Sequence, residues 1–212
     1  MKLLIFGPTG GTGAQLLTQA LDAGHDVTIV ARNPDRITIS DHARPAVVTA
    51  DVLQPQTWEA TVGGHDAVLS CLGSRDRRHP TTVYSQGTTN ILDAMRHEGV
   101  RRLVCLSSAG LEIPPETPLP QRLVTRLLVQ RLYRYGYADM TAMERIVTAS
   151  GIDWTIIRAP MLTNGPLTGR YRAAANRHLS NPKTISRADL AHYMLTHIAD
   201  HETWQKTVEV SS

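Results

Sequence analysis

The residues whose types and spacing carry the most chemistry are Gly7, Thr9, Gly10, Gly11, Thr12 and Gly13, in the run GPTGGTG near the start of the chain. Glycines three residues apart remove the Cβ atoms that would keep an oxyanion away from backbone N–H groups. A helix starting at the same point adds its positive end. Such a loop can cradle a diphosphate, with both threonine hydroxyls as further donors; it can also be a plain tight turn. The flanking residues decide between the two. Lys2–Phe6 reads as a buried strand, and an amphipathic helix from about Thr12 to Ala23, stopped by Gly24, follows the loop. In that context the spacing signifies dinucleotide binding.

The next apolar run, Asp26–Ala31, ends in Arg32, with Arg36 one turn further on. A carboxylate at that point would bind the ribose diol of NAD. Guanidinium forks instead suit the 2′-phosphate of NADP. Both arginines could be plain solvated charges, but their position after the second strand makes NADP(H) the expected cofactor. Loops at the carboxyl ends of the other strands should line the same crevice. Asp51 and Val52 then face the adenine, with Asp51 accepting from its exocyclic amine. Leu72, Gly73 and Arg75 pass the ribose and nicotinamide half. Ser107 lies at the reacting end, and Pro160, Met161 and Leu162 offer contacts to the carboxamide.

The candidate catalytic residue is Ser108, which can donate a hydrogen bond to a substrate heteroatom. Short hydroxyl side chains also cap local backbone, and that alternative stays open. A tyrosine–lysine acid–base pair is not found: the lysines are Lys2, Lys183 and Lys206, and none follows a tyrosine by four residues. Alcohol oxidation by a tyrosinate base is therefore disfavoured. Neither metal-ligand spacing nor a nucleophile elbow occurs, so no metal is expected. Asp139 and Glu144 read as solvated helix residues, and Cys71 and Cys105 as small buried hydrophobes.

The elements that must position these residues alternate. Strands are expected at Lys2–Phe6, Asp26–Ala31, Ala46–Ala50, Asp66–Leu72, Arg102–Ser107 and Asp153–Ala159. Helices are expected at Pro55–Val62 and Thr81–Glu98. This rhythm predicts α/β architecture, a single-domain Rossmann-type doubly wound parallel sheet with helices on both faces. After Ser108 a proline-rich stretch, Leu111–Pro120, precedes a helical region from about Arg122 to Ser150, interrupted near Gly136. Met161–Pro182 reads mostly as loop. Ser186 and Asp189 form a capping box for a helix to about Ala199, and Thr207–Val210 is the expected last edge strand. One domain over 1–212 follows, with 109–150 and 161–185 as substrate-side elements.

A chain of 212 residues with net charge +3 shows no basic block interleaved with aromatics, so a nucleic-acid partner is not expected. The opening apolar run is too short for a signal peptide, and no run approaches the ~20 residues of a membrane span. A cytoplasmic monomer acting on a small molecule is the expectation.

Several stretches together resemble the biliverdin-IXβ reductase or NADPH-dependent flavin reductase family, among the atypical short-chain dehydrogenases of the NmrA-like kind. They are IFGPTGGTG, VARNPDR, DVLQP, LGSRDRRHPTTVYSQGTTNI, GPLTGRYR and TISRADLAHYMLTHI. The resemblance implies a reductase that moves hydride from NADPH to a flat conjugated acceptor: a flavin, quinone or linear tetrapyrrole. It implies that the glycine loop holds diphosphate, Arg32 the 2′-phosphate, and Asp51 and Val52 the adenine; Ser108 matches the family's serine. Met161 stands where the family has histidine, and Gly110 where it has a bulky aromatic. Both departures favour small flavins or quinones over tetrapyrroles. A non-catalytic NADP(H)-binding redox sensor is the alternative on the same fold.

Overall fold

The computed structural model describes residues 1–37, 44–74, 76–113 and 119–212. Its centre is a strand, β1 (Lys2–Phe6), whose residues from Leu3 onward are buried on both faces. Side chains alternate along it. Leu3 and Ile5 join Leu16, Leu17, Leu190 and Met194 in one core layer, and Leu4 and Phe6 join Ile91, Met95, Met143 and Val147 in the other. A strand walled in on both sides reads as a continuous apolar run rather than an alternating one, as LLIF does.

The further strands are β2 (Asp26–Ala31), β3 (Ala46–Thr49), β4 (Ala67–Ser70), β5 (Arg102–Ser108), β6 (Asp153–Ala159), β7 (Met161–Thr163), β8 (Arg172–Ala175), β9 (Thr184–Ser186) and β10 (Lys206–Ser211). Eight of them form one sheet in the order β3-β2-β1-β4-β5-β6-β10-β8. All neighbours run parallel except β8, which lies antiparallel to β10. The long helices are α1 (Gly11–Asp22), α2 (Ser85–Glu98), α5 (Arg134–Thr148) and α6 (Arg187–Thr196). Helix α1 packs beside α6 on one face, and α2 beside α5 on the other. This is the Rossmann-type doubly wound sheet, and its strand order reverses between β1 and β4. At such a switch point the loops diverge to opposite faces and open a crevice.

Several local expectations need correction. The stretch expected as a helix at 55–62 is two 3₁₀ turns, Pro55–Thr57 and Glu59–Thr61. Trp58 between them leaves the helical path at φ −147°, ψ −13°. Its side chain is buried edge-on against Phe6 with centroids 4.9 Å apart, and its Nε1–H donates to the Asp51 carbonyl at 3.0 Å. Helix α2 starts at Ser85 rather than Thr81, because the carboxylate of Asp139 accepts from the N–H groups of Tyr84 and Ser85 and from the Ser85 hydroxyl. Asp139 is thus a buried cap supplied by α5, and Glu144 is a buried partner of Arg158 at 2.6 Å; neither is solvated.

The helical region after 118 comprises α3 (Leu119–Val124), a π turn, α4 (Gln130–Leu132) and α5. The break falls at Tyr133, whose ring stacks on Tyr137 and lies under the Arg77 guanidinium; Gly136 is inside α5. Finally, β10 is interior and β8 is the edge, while β7 pairs with β9 in a separate two-stranded ribbon. The stretch 161–182 therefore contains strand as well as loop.

The anticipated cap at Ser186 forms, with its Oγ accepting from the Asp189 N–H at 2.9 Å. The Asp189 carboxylate accepts in turn from Thr168 N, Gly169 N and Thr168 Oγ1 at 2.7–2.9 Å, so the GPLTG turn is fastened to the start of α6. Burial raises the Asp189 carboxyl, but these hydrogen bonds outweigh it and hold the group below its ordinary range. Cys71 and Cys105 are both buried and unpaired. Burial pushes the Cys71 thiol up to about 12 and raises that of Cys105 further. Among the described residues no helix is long and apolar enough to cross a membrane.

Candidate functional site: a dinucleotide crevice

A crevice of about 770 Å³ lies over the carboxyl ends of β1, β2, β4 and β5, at the switch point. Its floor is the glycine loop. Gly7 has φ +76°, a left-handed conformation that lets the chain turn sharply out of β1. A Cβ on Gly7 would lie 2.3 Å from the Cys71 carbonyl oxygen, and one on Gly13 only 2.1 Å from the Gly7 carbonyl oxygen. These two glycines fold the loop tightly onto itself and onto the end of β4. Gly10 is the residue before α1, and no side chain caps the helix there. The first-turn N–H groups of α1 therefore remain available to a ligand, the arrangement that binds phosphate at helix N-termini. Gly7, Thr9, Gly10, Gly11, Thr12 and Gly13 all line the crevice.

Beyond the loop, Arg32 and Arg36 line one end with Asp51 and Val52. Arg32 Nη1 lies 3.7 Å from Asp51 Oδ2, and the arginine side chain is 68% exposed. Asp51 also accepts from the Leu53 N–H at 3.0 Å, so its carboxylate is oriented by backbone beside the guanidinium. The Val52 carbonyl accepts from Asn90 Nδ2 at 2.9 Å. Val52 and Leu72 both press on Gly87 of α2, where a Cβ would stand 3.1 Å from each. That contact fixes Val52 and Leu72 as one apolar wall of the crevice.

Further along the crevice, Gly73, Tyr84, Leu106, Ser107, Met140 and Leu162 make a largely apolar surface. Tyr84 OH accepts from the Ser74 N–H at 3.1 Å, and burial raises its pKa, so the phenol stays neutral. With the Cys71 thiol also pushed up, neither group forms an anion near neutrality. Ser107 lines the crevice, and its buried Oγ has no hydrogen-bond partner among the described residues. An unpaired buried hydroxyl costs about 1–3 kcal/mol, which a bound polar group would offset.

Other anticipated residues fall elsewhere. Ser108 points away from Ser107, as neighbours on a strand do. Its Oγ accepts from Gly110 N at 3.1 Å and lies 3.4 Å from Tyr137 OH, so it caps the turn after β5 beside the crevice rather than lining it. Pro160 and Met161 are not in the lining. Met161 is 71% exposed, because it opens β7 opposite Thr184, while Leu162 turns inward. Arg75 lies outside the described residues.

One cation escaped the sequence reading. Arg187, the first residue of α6, lines the crevice from across the glycine loop. A weak cue was present, since a cation in the first turn of a helix opposes the macrodipole.

The crevice thus combines a diphosphate-sized cradle of bare amides, cations at one end and an apolar end able to take a flat ring. The comparisons agree with that geometry. Residues 7–201 match the NAD(P)H-binding family, and the chain belongs to it. A chloroplastic protein of Arabidopsis thaliana is 30% identical over 216 residues, covering 99% of this chain and 76% of its own. The photosystem II assembly factor Ycf39 of Synechocystis is 26% identical over 173 residues, covering 81% of this chain and 48% of its own. Among solved structures, a short-chain dehydrogenase/reductase from Veillonella parvula in complex with NADP superposes with a TM-score of 0.82 at 20% identity, over 100% of this chain and 94% of that one. A Streptococcus pneumoniae protein described as a putative NADH-flavin reductase superposes with a TM-score of 0.77 at 17% identity, over 100% and 99%. At those identities the structural likeness speaks for the fold.

Proposed function

We propose that this protein is an NADPH-dependent reductase that passes hydride to a flavin or a related planar conjugated acceptor. The observation that carries this reading is the apolar end of the crevice, built from Leu106, Met140, Leu162 and Tyr84 and holding no tyrosine–lysine acid–base pair among the described residues. NADPH, when bound, supplies the hydride. The residues of the chain bind and orient: the glycine loop takes the diphosphate, Arg32 and Arg36 the 2′-phosphate, and the apolar wall stacks the acceptor over the reacting ring. A conjugated acceptor takes up its accompanying proton from solvent, so positioning and exclusion of water suffice without a tyrosine–lysine couple. Ser107 Oγ, unpaired and buried at that end, is a donor for an acceptor or carboxamide oxygen. The biliverdin-type acceptor is the less favoured one, since Met161 brings no proton donor and faces solvent.

The test is loss of reduced-nicotinamide absorbance with riboflavin, FMN or a quinone present and omitted. Acceptor-dependent NADPH oxidation supports the reductase. A second reading, a redox-sensing regulator without turnover, is favoured by Ser108 being engaged with Gly110 and Tyr137, and by the likeness to an assembly factor. NADPH binding without any acceptor-dependent oxidation would establish that reading instead.

A further inference from the structure

Arg187 is placed where a purely structural arginine gains little. Its Nη1–H donates to Asn164 Oδ1 at 2.7 Å, and it takes part in no ion pair among the described residues. The one acid in the first turn of α6, Asp189, is committed to Ser186, Thr168 and Gly169. The arginine therefore sits at the positive end of its own helix without a direct ion-pair partner among the described residues. Its stem lies directly over α1's first turn. A Cβ on Gly11 would be 2.6 Å from Arg187 Cδ and 2.7 Å from Nε. Gly11 is thus bare for a reason unlike that of its neighbours in the loop: it makes room for a side chain from a distant helix.

We infer that Arg187 is a cofactor-binding residue whose guanidinium donates to the diphosphate held by the glycine loop, closing the cradle from the α6 side. Asn164 is the positioning residue that holds the fork over the loop. This inference rests on the NADP(H) reading above and goes beyond it in assigning a second cation with a different target. Arg32 faces the 2′-phosphate, which only NADPH carries. Arg187 faces the diphosphate, which NADPH and NADH share, so its contribution is the same to both coenzymes.

The experiment is calorimetric titration of the full chain and its R187A, R187K, G11A and G11A/R187A variants with NADPH and with NADH. Loss of a charge-assisted contact predicts that R187A weakens both coenzymes by a common factor of about ten or more. R187K should fall between, keeping the charge but not the fork. G11A should reproduce R187A by displacing the side chain, and the double variant should be no worse than R187A alone, which a double-mutant cycle reads directly. Unchanged affinity in R187A overturns the inference, as does a loss confined to NADPH or a double variant that shows the sum of the single effects. If R187A does not fold, R187Q, which keeps a donor for Asn164, is read in its place against the same outcomes. Wild-type chain that binds neither coenzyme overturns the cofactor reading together with this one; wild-type binding with indifferent Arg187 variants overturns this one alone.

Discussion

Replacing Arg32 with alanine separates its two possible roles. The guanidinium sits 3.7 Å from Asp51 and is 68% exposed. Two unit charges at that distance attract by about 1 kcal/mol in bulk water, and side-chain entropy and salt reduce this further. The fold should therefore hardly register the change, with a melting temperature within about 4 °C of wild type. Coenzyme binding should register it strongly. A guanidinium contact to phosphate contributes about 1.5–3 kcal/mol, or roughly ten- to a hundredfold in Kd. Asp51, freed of its partner, would also repel the same phosphate. Titration of wild type and R32A with both coenzymes should show that loss for NADPH, with NADH within about twofold. An equal loss for the two coenzymes, or none for either, refutes the assignment of Arg32 to the 2′-phosphate.

Other expectations concern the scaffold. Gly13→Ala puts a Cβ 2.1 Å from the Gly7 carbonyl oxygen, so the loop must open; overpacking of about 1–3 kcal/mol should appear as a lower melting temperature together with loss of coenzyme binding. Asp139→Ala strips the start of α2 of the acceptor for Tyr84 N and Ser85 N, and chemical denaturation should show a loss of about 1–3 kcal/mol, with Asp139→Asn losing less. The Asp189 carboxyl is held below its ordinary value, first raised by burial and then lowered further by its hydrogen bonds. Its stabilising effect is therefore complete above the unfolded value of about 4 and is lost as pH falls through the lower folded value. The stability difference between wild type and Asp189→Asn should accordingly shrink on acidification below about pH 4; a constant difference would contradict the hydrogen-bonded carboxylate.

What was legible in the sequence was local. The strand, glycine loop and helix of the first 23 residues announce themselves because each signal lies next to the one it supports. The same holds for the Ser186 cap and for Arg32 at the end of β2. What escaped depends on partners distant in the chain. The cap of α2 comes from Asp139, 55 residues beyond Tyr84. Arg187 reaches the glycine loop from 176 residues beyond Gly11. Strand β8, RAAA, carries neither branched nor alternating residues and becomes a strand only because β10 offers it an edge. The choice between Ser107 and Ser108 turned on strand parity, since one residue of register moves a hydroxyl from crevice to turn.

The bond between Asp139 and the start of α2 also divides the molecule for anyone wishing to re-engineer it. From Asp139 onward, α5 is clamped to the coenzyme half by a carboxylate shared with Tyr84 and Ser85, and by the Glu144–Arg158 pair. Ahead of it, α3, the π turn and α4 expose Leu119, Leu123, Leu127 and Leu132, and among the described residues are tied to the sheet side only by neutral contacts such as that of Gln130 Nε2–H with the Gly110 carbonyl. That upstream stretch is the part of the chain to vary first: segments of other length and shape can be spliced in ahead of Tyr133 while the Asp139 cap and the Glu144–Arg158 pair stay in place.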